Sequence, residues 1–130
     1  MKIIFVDDSK IVLETLKSLV LEIVESKMIK CEFLNDSLIV KKMLENESLE
    51  YDLMFVDINM PNVTGYELAK TAKNIQKYKY KSIIAITSEY TEEAKELGNK
   101  FGIDGWFLKT ITQDSLQLSI VDTIKKLYKD

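Results

Sequence analysis

A chain of 130 residues, 46% hydrophobic and 30% charged, has the length and composition of one globular domain with one core. Its net charge of −3 argues against a nucleic-acid surface, and its 18 cations are all lysine, which excludes bidentate arginine clamps. Histidine is absent, so Ser-His-Asp triads, His-ligated zinc and histidine acid–base chemistry are excluded. A single cysteine, Cys31, rules out an intramolecular disulfide and suits a reduced, cytoplasmic setting. No apolar run has the length of a transmembrane helix, and the one before Asp7 is too short for a secretion signal.

Lys2–Val6 is a short run rich in β-branched and aromatic residues, the pattern of a buried strand. From Ser9 to about Glu25, Val12, Leu16, Leu19 and Ile23 recur at helical spacing. Ile29 to Phe33 alternates apolar and charged residues, which predicts an edge strand. Asp36 is placed to cap a helix running to about Glu47. Leu53–Val56 is a further buried strand, and Thr64 to Glu67 has capping-box spacing. Lys73 to Lys81 is rich in lysine and predicts a helix end and a solvated loop, Tyr78 and Tyr80 included. Ile83–Ile86 is the next strand, and a helix follows from about Thr91 with Glu92 and Glu93 near its positive end. Trp106–Leu108 is the last strand, before an amphipathic helix carrying Leu116, Ile120, Ile124 and Leu127.

Five strand–helix units in succession predict an α/β doubly wound, flavodoxin-like domain over residues 1–130 with a five-stranded parallel sheet. Strands one, three, four and five are apolar throughout, as strands covered on both faces are, while the alternating second strand suits an edge. The predicted order is therefore 2-1-3-4-5.

In a parallel sheet the carboxyl ends of the strands share one edge, where ligands bind at the point at which strand order reverses. Strand one runs into Asp7 and Asp8, strand three into Asp57, strand four into Thr87 and strand five into Lys109. Turn chemistry explains any one of these residues singly. Their joint delivery to one edge describes a site. Two like charges 4 Å apart at an effective dielectric near 20 repel by about 4 kcal/mol, so three carboxylates call for raised pKa values or a cation. Oxygen donors suit a hard cation such as Mg²⁺. A lysine for charge, a threonine hydroxyl for an oxygen and a carboxylate nucleophile suit a phosphoryl group.

The stretches Phe5–Ser9, Val56–Leu68, Ile84–Glu89 and Gly105–Lys109 together resemble the receiver domain of two-component response regulators, most closely the single-domain, chemotaxis-type members. The resemblance implies that Asp57 accepts a phosphoryl group from the phosphohistidine of a histidine kinase or histidine phosphotransfer protein. It also implies slow autodephosphorylation, a switch rather than a metabolic enzyme. Asp8, Asp57 and the Asn59 backbone carbonyl would hold Mg²⁺, with Mn²⁺ as a substitute, and Asp7 would act through water. Lys109 and Thr87 would contact the phosphoryl group. Ser88 suits a position that must stay small, while Asn59 and Glu89 would tune the lifetime of the phosphoryl group.

Two residues depart from the family pattern. Trp106 stands where a tyrosine or phenylalanine usually turns inward as the threonine moves, and Thr110 stands where proline usually follows the lysine. A cis bond before threonine would cost about 2.5–4 kcal/mol, so a trans Lys109–Thr110 bond is expected. The family's partner surface, helix four, strand five and helix five, would here carry Tyr90, Glu92, Glu93, Lys95, Trp106 and Ser119. A monomer is expected, with dimerisation on activation left open, and no nucleic-acid or membrane partner. Other readings are a receiver cut from a larger regulator and a pseudo-receiver that only docks. A haloacid-dehalogenase-type phosphatase would need aspartate at Asn59, and a flavodoxin would need a phosphate loop where Asp7 and Asp8 stand.

Overall fold

The computed structural model describes residues 1–25 (side chains to residue 21), 29–88, 90–109, 114–116, 118, 120 and 122. Its elements run β1 (Lys2–Val6), α1 (Lys10–Glu25), β2 (Lys30–Leu34), α2 (Ser37–Glu45), β3 (Leu53–Asp57), α3 (Gly65–Lys73), β4 (Ser82–Thr87), α4 (Glu92–Phe101) and β5 (Gly105–Leu108). Helical backbone recurs at 114–116, 118, 120 and 122. The five strands are parallel and ordered β2-β1-β3-β4-β5, as the alternating second strand predicts.

The apolar strands conceal a period of two. Ile3 and Phe5 face one core with Leu13, Leu16 and Val20 of α1 and with Leu116 and Ile120. Ile4 and Val6 face the other, with Val40 and Leu44 of α2 and Leu68, Ala69 and Ala72 of α3. The register is pinned by an aromatic row. Phe5 lies between Phe33 and Phe55 with ring centroids 5.0 and 4.9 Å away, each opposite it in the ladder.

Local chemistry starts the helices where the sequence places the starts. Ser9 Oγ accepts from the Val12 amide, and Asp36 accepts from those of Leu38 and Ile39. Thr64 Oγ1 accepts from the Glu67 amide at 3.2 Å, while the Glu67 carboxylate turns to Lys41 at 3.6 Å instead of closing a capping box. Thr64→Ala is expected to cost about 1 kcal/mol, read as a lower denaturation midpoint with unchanged slope.

Three expectations differ. α2 ends at Glu45 with Asn46 as its cap, two residues short of Glu47. β5 is only half-buried and Leu108 is 49% exposed, because the strand order makes β5 the second edge of the sheet. The loop between α3 and β4 is not wholly solvated. Tyr80 is exposed, but Tyr78 is buried, stacks on Tyr51 with centroids 5.3 Å apart and donates to the Leu49 carbonyl at 2.8 Å. Cys31 is half-buried in the α1-side core, and burial pushes its thiol up to about 11.

Candidate functional site: an acidic edge closed by a lysine

The site lies where β1, β3, β4 and β5 end. Asp57 closes β3 and Asp7 follows β1. Both are 2% exposed, and the buried Thr87 closes β4. Asp8 and Asn59 are exposed at the rim. The Lys109 amide donates to the Thr87 carbonyl at 2.8 Å, which ties the ends of β4 and β5 together. Lys109 Nζ then lies 3.3 Å from Asp57 Oδ1 and 3.5 Å from Asp7 Oδ2, between the two buried carboxylates.

The carboxylate oxygens are unequal. Asp7 Oδ1 accepts from the Ser9 amide at 2.9 Å, and Asp57 Oδ1 accepts a long bond of 3.4 Å from the Asn59 amide. Asp7 Oδ2 and Asp57 Oδ2 are buried without a hydrogen-bond partner among the described residues; at 3.5 Å, Lys109 Nζ gives Asp7 Oδ2 an ion pair but not a good hydrogen bond. Such orphaned oxygens are costly unless something else binds them. One oxygen from each of Asp7, Asp8 and Asp57 lies within 4.8 Å of the others, a donor set that fits a hard divalent cation.

The electrostatics agree with the geometry. Burial, then the Asp7 charge, pushes Asp57 up to about 6 against the pull of Lys109. Burial likewise raises Asp7. Burial alone would lower Lys109, but the charges of Asp57 and Asp7 outweigh it and hold the ammonium above its ordinary value. The lysine is therefore a standing cation, and Asp57 is an incompletely compensated anion at neutral pH.

The loop after Asp57 is fixed from below. The Gly65 amide donates to Ile58 O at 3.1 Å, and Ser37 Oγ donates to Pro61 O at 3.1 Å. Asn62 takes a left-handed φ of 69°, which asparagine tolerates. Met60 is buried beneath the loop.

The structure brings together Asp7, Asp8, Asp57, Thr87 and Lys109, with the Asn59 amide on Asp57 and Ser88 exposed just beyond Thr87. Tyr90, Glu92, Glu93 and Lys95 are exposed along α4 and its entry, and Trp106 is half-buried beside Tyr90 with centroids 5.3 Å apart. Glu89, Thr110 and Ser119 lie outside the described residues, and so does the Lys109–Thr110 bond. Sequence reading missed Ser9 and Ser37 as supports. It also gave no reason for Gly98, a buried glycine inside α4, where glycine costs about 1 kcal/mol relative to alanine.

A cavity of about 500 Å³ opens at the opposite, amino end of the sheet, lined by Lys2, Lys30, Lys77, Lys81 and Tyr51 among others. Three of those lysines are already paired, with Glu32, Glu50 and Asp52, so this space shows none of the convergence seen around Asp57.

The model of the response regulator receiver domain matches residues 3–121. The chain belongs to that family. It is 31% identical over 125 residues to stress response regulator protein 1 of Candida albicans strain WO-1, covering 93% of this chain and 42% of that protein. It is 30% identical over 84 residues to the sensor histidine kinase CheAY of Helicobacter pylori, covering 65% of this chain and 10% of the kinase. The receiver thus spans less than half the length of the first of these relatives. Among solved structures, the chemotaxis protein CheY4 of Vibrio cholerae superimposes with a TM-score of 0.79 at 24% identity, covering 94% of this chain and 97% of that one. The receiver of an HD-domain protein of Pseudomonas fluorescens Pf-5 superimposes with a TM-score of 0.81 at 20% identity, covering 99% and 98%. These likenesses confirm the flavodoxin-like fold. No helix among the described residues is long and apolar enough to cross a membrane.

Proposed function

We propose that this receiver accepts a phosphoryl group on Asp57 from the phosphohistidine of a histidine kinase or histidine phosphotransfer protein, and that the acyl phosphate changes what its α4–β5 face binds. The observation that carries the reading is the placement of Lys109 Nζ between Asp57 and Asp7 beside two orphaned carboxylate oxygens. An Asp57 oxygen attacks phosphorus, the phosphorus–nitrogen bond breaks, and the leaving imidazole keeps the electron pair and takes a proton from solvent. Lys109 would neutralise charge on the transferring oxygens, and the buried Thr87 would bond one of them. Attack of water on the same phosphorus returns Asp57 and inorganic phosphate.

Asp8, Asp57 and the Asn59 carbonyl would hold Mg²⁺, with Asp7 acting through water; Mn²⁺ has similar donor preferences. The bound ion would supply positive charge to the phosphoryl oxygens. Ser88 and Asn59, both exposed, would bear on how long the phosphoryl group lasts, together with Glu89, which lies outside the described residues. Tyr90, Glu92, Glu93, Lys95 and Trp106 would form the docking face, joined by Ser119 on the sequence alone.

The test is incubation with acetyl phosphate, with and without Mg²⁺, read by intact mass. Wild type is expected to gain one phosphoryl group only with the metal, and Asp57→Asn to gain none. Phosphorylation that survives the substitution, or that needs no divalent ion, would sink the reading.

A further inference from the structure

Trp106 departs from the family pattern, and the helix facing it accommodates the departure. In α4 only Gly98 is buried; Ala94 and Phe101 are intermediate, and the other residues are exposed. A Cβ built on Gly98 would lie 2.2 Å from Trp106 Cζ2, 3.1 Å from Cε2 and 3.2 Å from Cη2. The first distance is far inside contact, and all three atoms belong to the six-membered ring of the indole. The ring is enclosed on other sides by Tyr66 and Tyr90, with centroids 6.5 and 5.3 Å away. Tyr66 also packs on Phe101, and its hydroxyl donates to the Ala94 carbonyl at 3.5 Å. The indole therefore lies in a notch that exists because residue 98 has no side chain, and Gly98 is the buried residue of α4.

We propose that Gly98 is a positioning residue. It sets where the Trp106 indole rests and, through that ring, fastens α4 to the sheet, so that indole and helix move together when the Asp57 edge changes. The resting half of this proposal stands on packing alone, and the activation half rests on the phosphoacceptor reading. Tight interiors do not deform smoothly, so a displaced indole must be answered by the helix backbone at Gly98. The consequence is that Trp106 and Gly98 are a matched pair, and neither is expected to tolerate change alone.

The experiment is a cycle of wild type, Gly98→Ala, Trp106→Ala and the double variant in the full chain. Alanine is the better helix former, so without the ring the change at residue 98 should stabilise. Gly98→Ala is expected to lower the melting temperature and shift the tryptophan emission in the resting protein, yet to raise the melting temperature in the Trp106→Ala background. If Gly98→Ala alone does not fold, recovery of folding in the double variant is the expected result. An unchanged or raised melting temperature in the first background, or an equal loss in both, overturns the proposal. For activation, hydrogen exchange across α4 is followed on adding Mg²⁺ and beryllofluoride. A change in wild type that is lost in Trp106→Ala supports the coupling, and an equal change in both overturns it. Asp57 phosphorylation by acetyl phosphate is measured separately in each protein. A wild type that takes no phosphoryl group overturns the activation half, while the sign reversal in melting temperature still decides the resting half.

Discussion

Gly65→Ala is expected to cost about 3 kcal/mol and to slow phosphorylation of Asp57 by about 10-fold to 100-fold. A Cβ at Gly65 would lie 2.5 Å from the Asp57 carbonyl oxygen and 3.0 Å from Ile58 Cα. These are backbone atoms, which cannot turn aside as a flexible side chain would. The first turn of α3 would have to retreat from the loop, stretching the Gly65 amide bond to Ile58 O, now 3.1 Å. That loop carries Asp57 and the Asn59 amide that bonds it, so displacement reaches the nucleophile directly. Denaturant unfolding gives the first number, and the initial rate with acetyl phosphate and Mg²⁺ gives the second. Gly105→Ala is the control, since a Cβ there meets only the Ile84 side chain at 3.6 Å, an ordinary contact. An equal loss at Gly105 would show that the effect belongs to glycine substitution in general and not to the Asp57 loop.

Much of this architecture was legible because each strand end carries chemistry. The alternation from Ile29 to Phe33 placed β2 at an edge, that placement gave the strand order, and the order gathered Asp7, Asp57, Thr87 and Lys109 from positions up to about a hundred residues apart. The structure adds what pattern cannot carry. Tyr78 and Tyr80 look alike between lysines, and the partner that buries Tyr78, the Leu49 carbonyl, is 29 residues away. The run Trp106–Leu108 reads as covered on both faces, yet its exposure is set by its being the last strand in the sheet. Gly98 carries no chemistry of its own, and its role appears only once Trp106 is seen against it. Short apolar runs fix which residues are buried somewhere; they do not fix which neighbour buries them.

Without divalent metal, Asp57→Asn is expected to be more stable than wild type at pH 7.5, by up to about 3 kcal/mol, and indistinguishable from it near pH 4. Burial and the Asp7 charge raise Asp57 from 3.8 to about 6 in the folded protein. The fold therefore binds a proton more readily there than the unfolded chain does. By linkage, the contribution of Asp57 to wild-type stability falls as pH rises from about 4 through about 6 and levels off above that. A shift of about two units corresponds to about 3 kcal/mol, and asparagine, which does not ionise, escapes the loss. Asp7 is raised too, so the two carboxylates titrate as a coupled pair across this window. The difference between the two proteins isolates the site from every other titrating group. Adding Mg²⁺ at pH 7.5 should narrow the gap from the wild-type side, because a ligand held only by the folded state at 100 times its Kd adds about 2.7 kcal/mol. Thermal melts of both proteins at pH 4, 6 and 7.5, in chelator and in Mg²⁺, test each step. A wild type as stable as Asp57→Asn at pH 7.5 in chelator would mean that Lys109, 3.3 Å from Asp57 and 3.5 Å from Asp7, already neutralises the site without a metal.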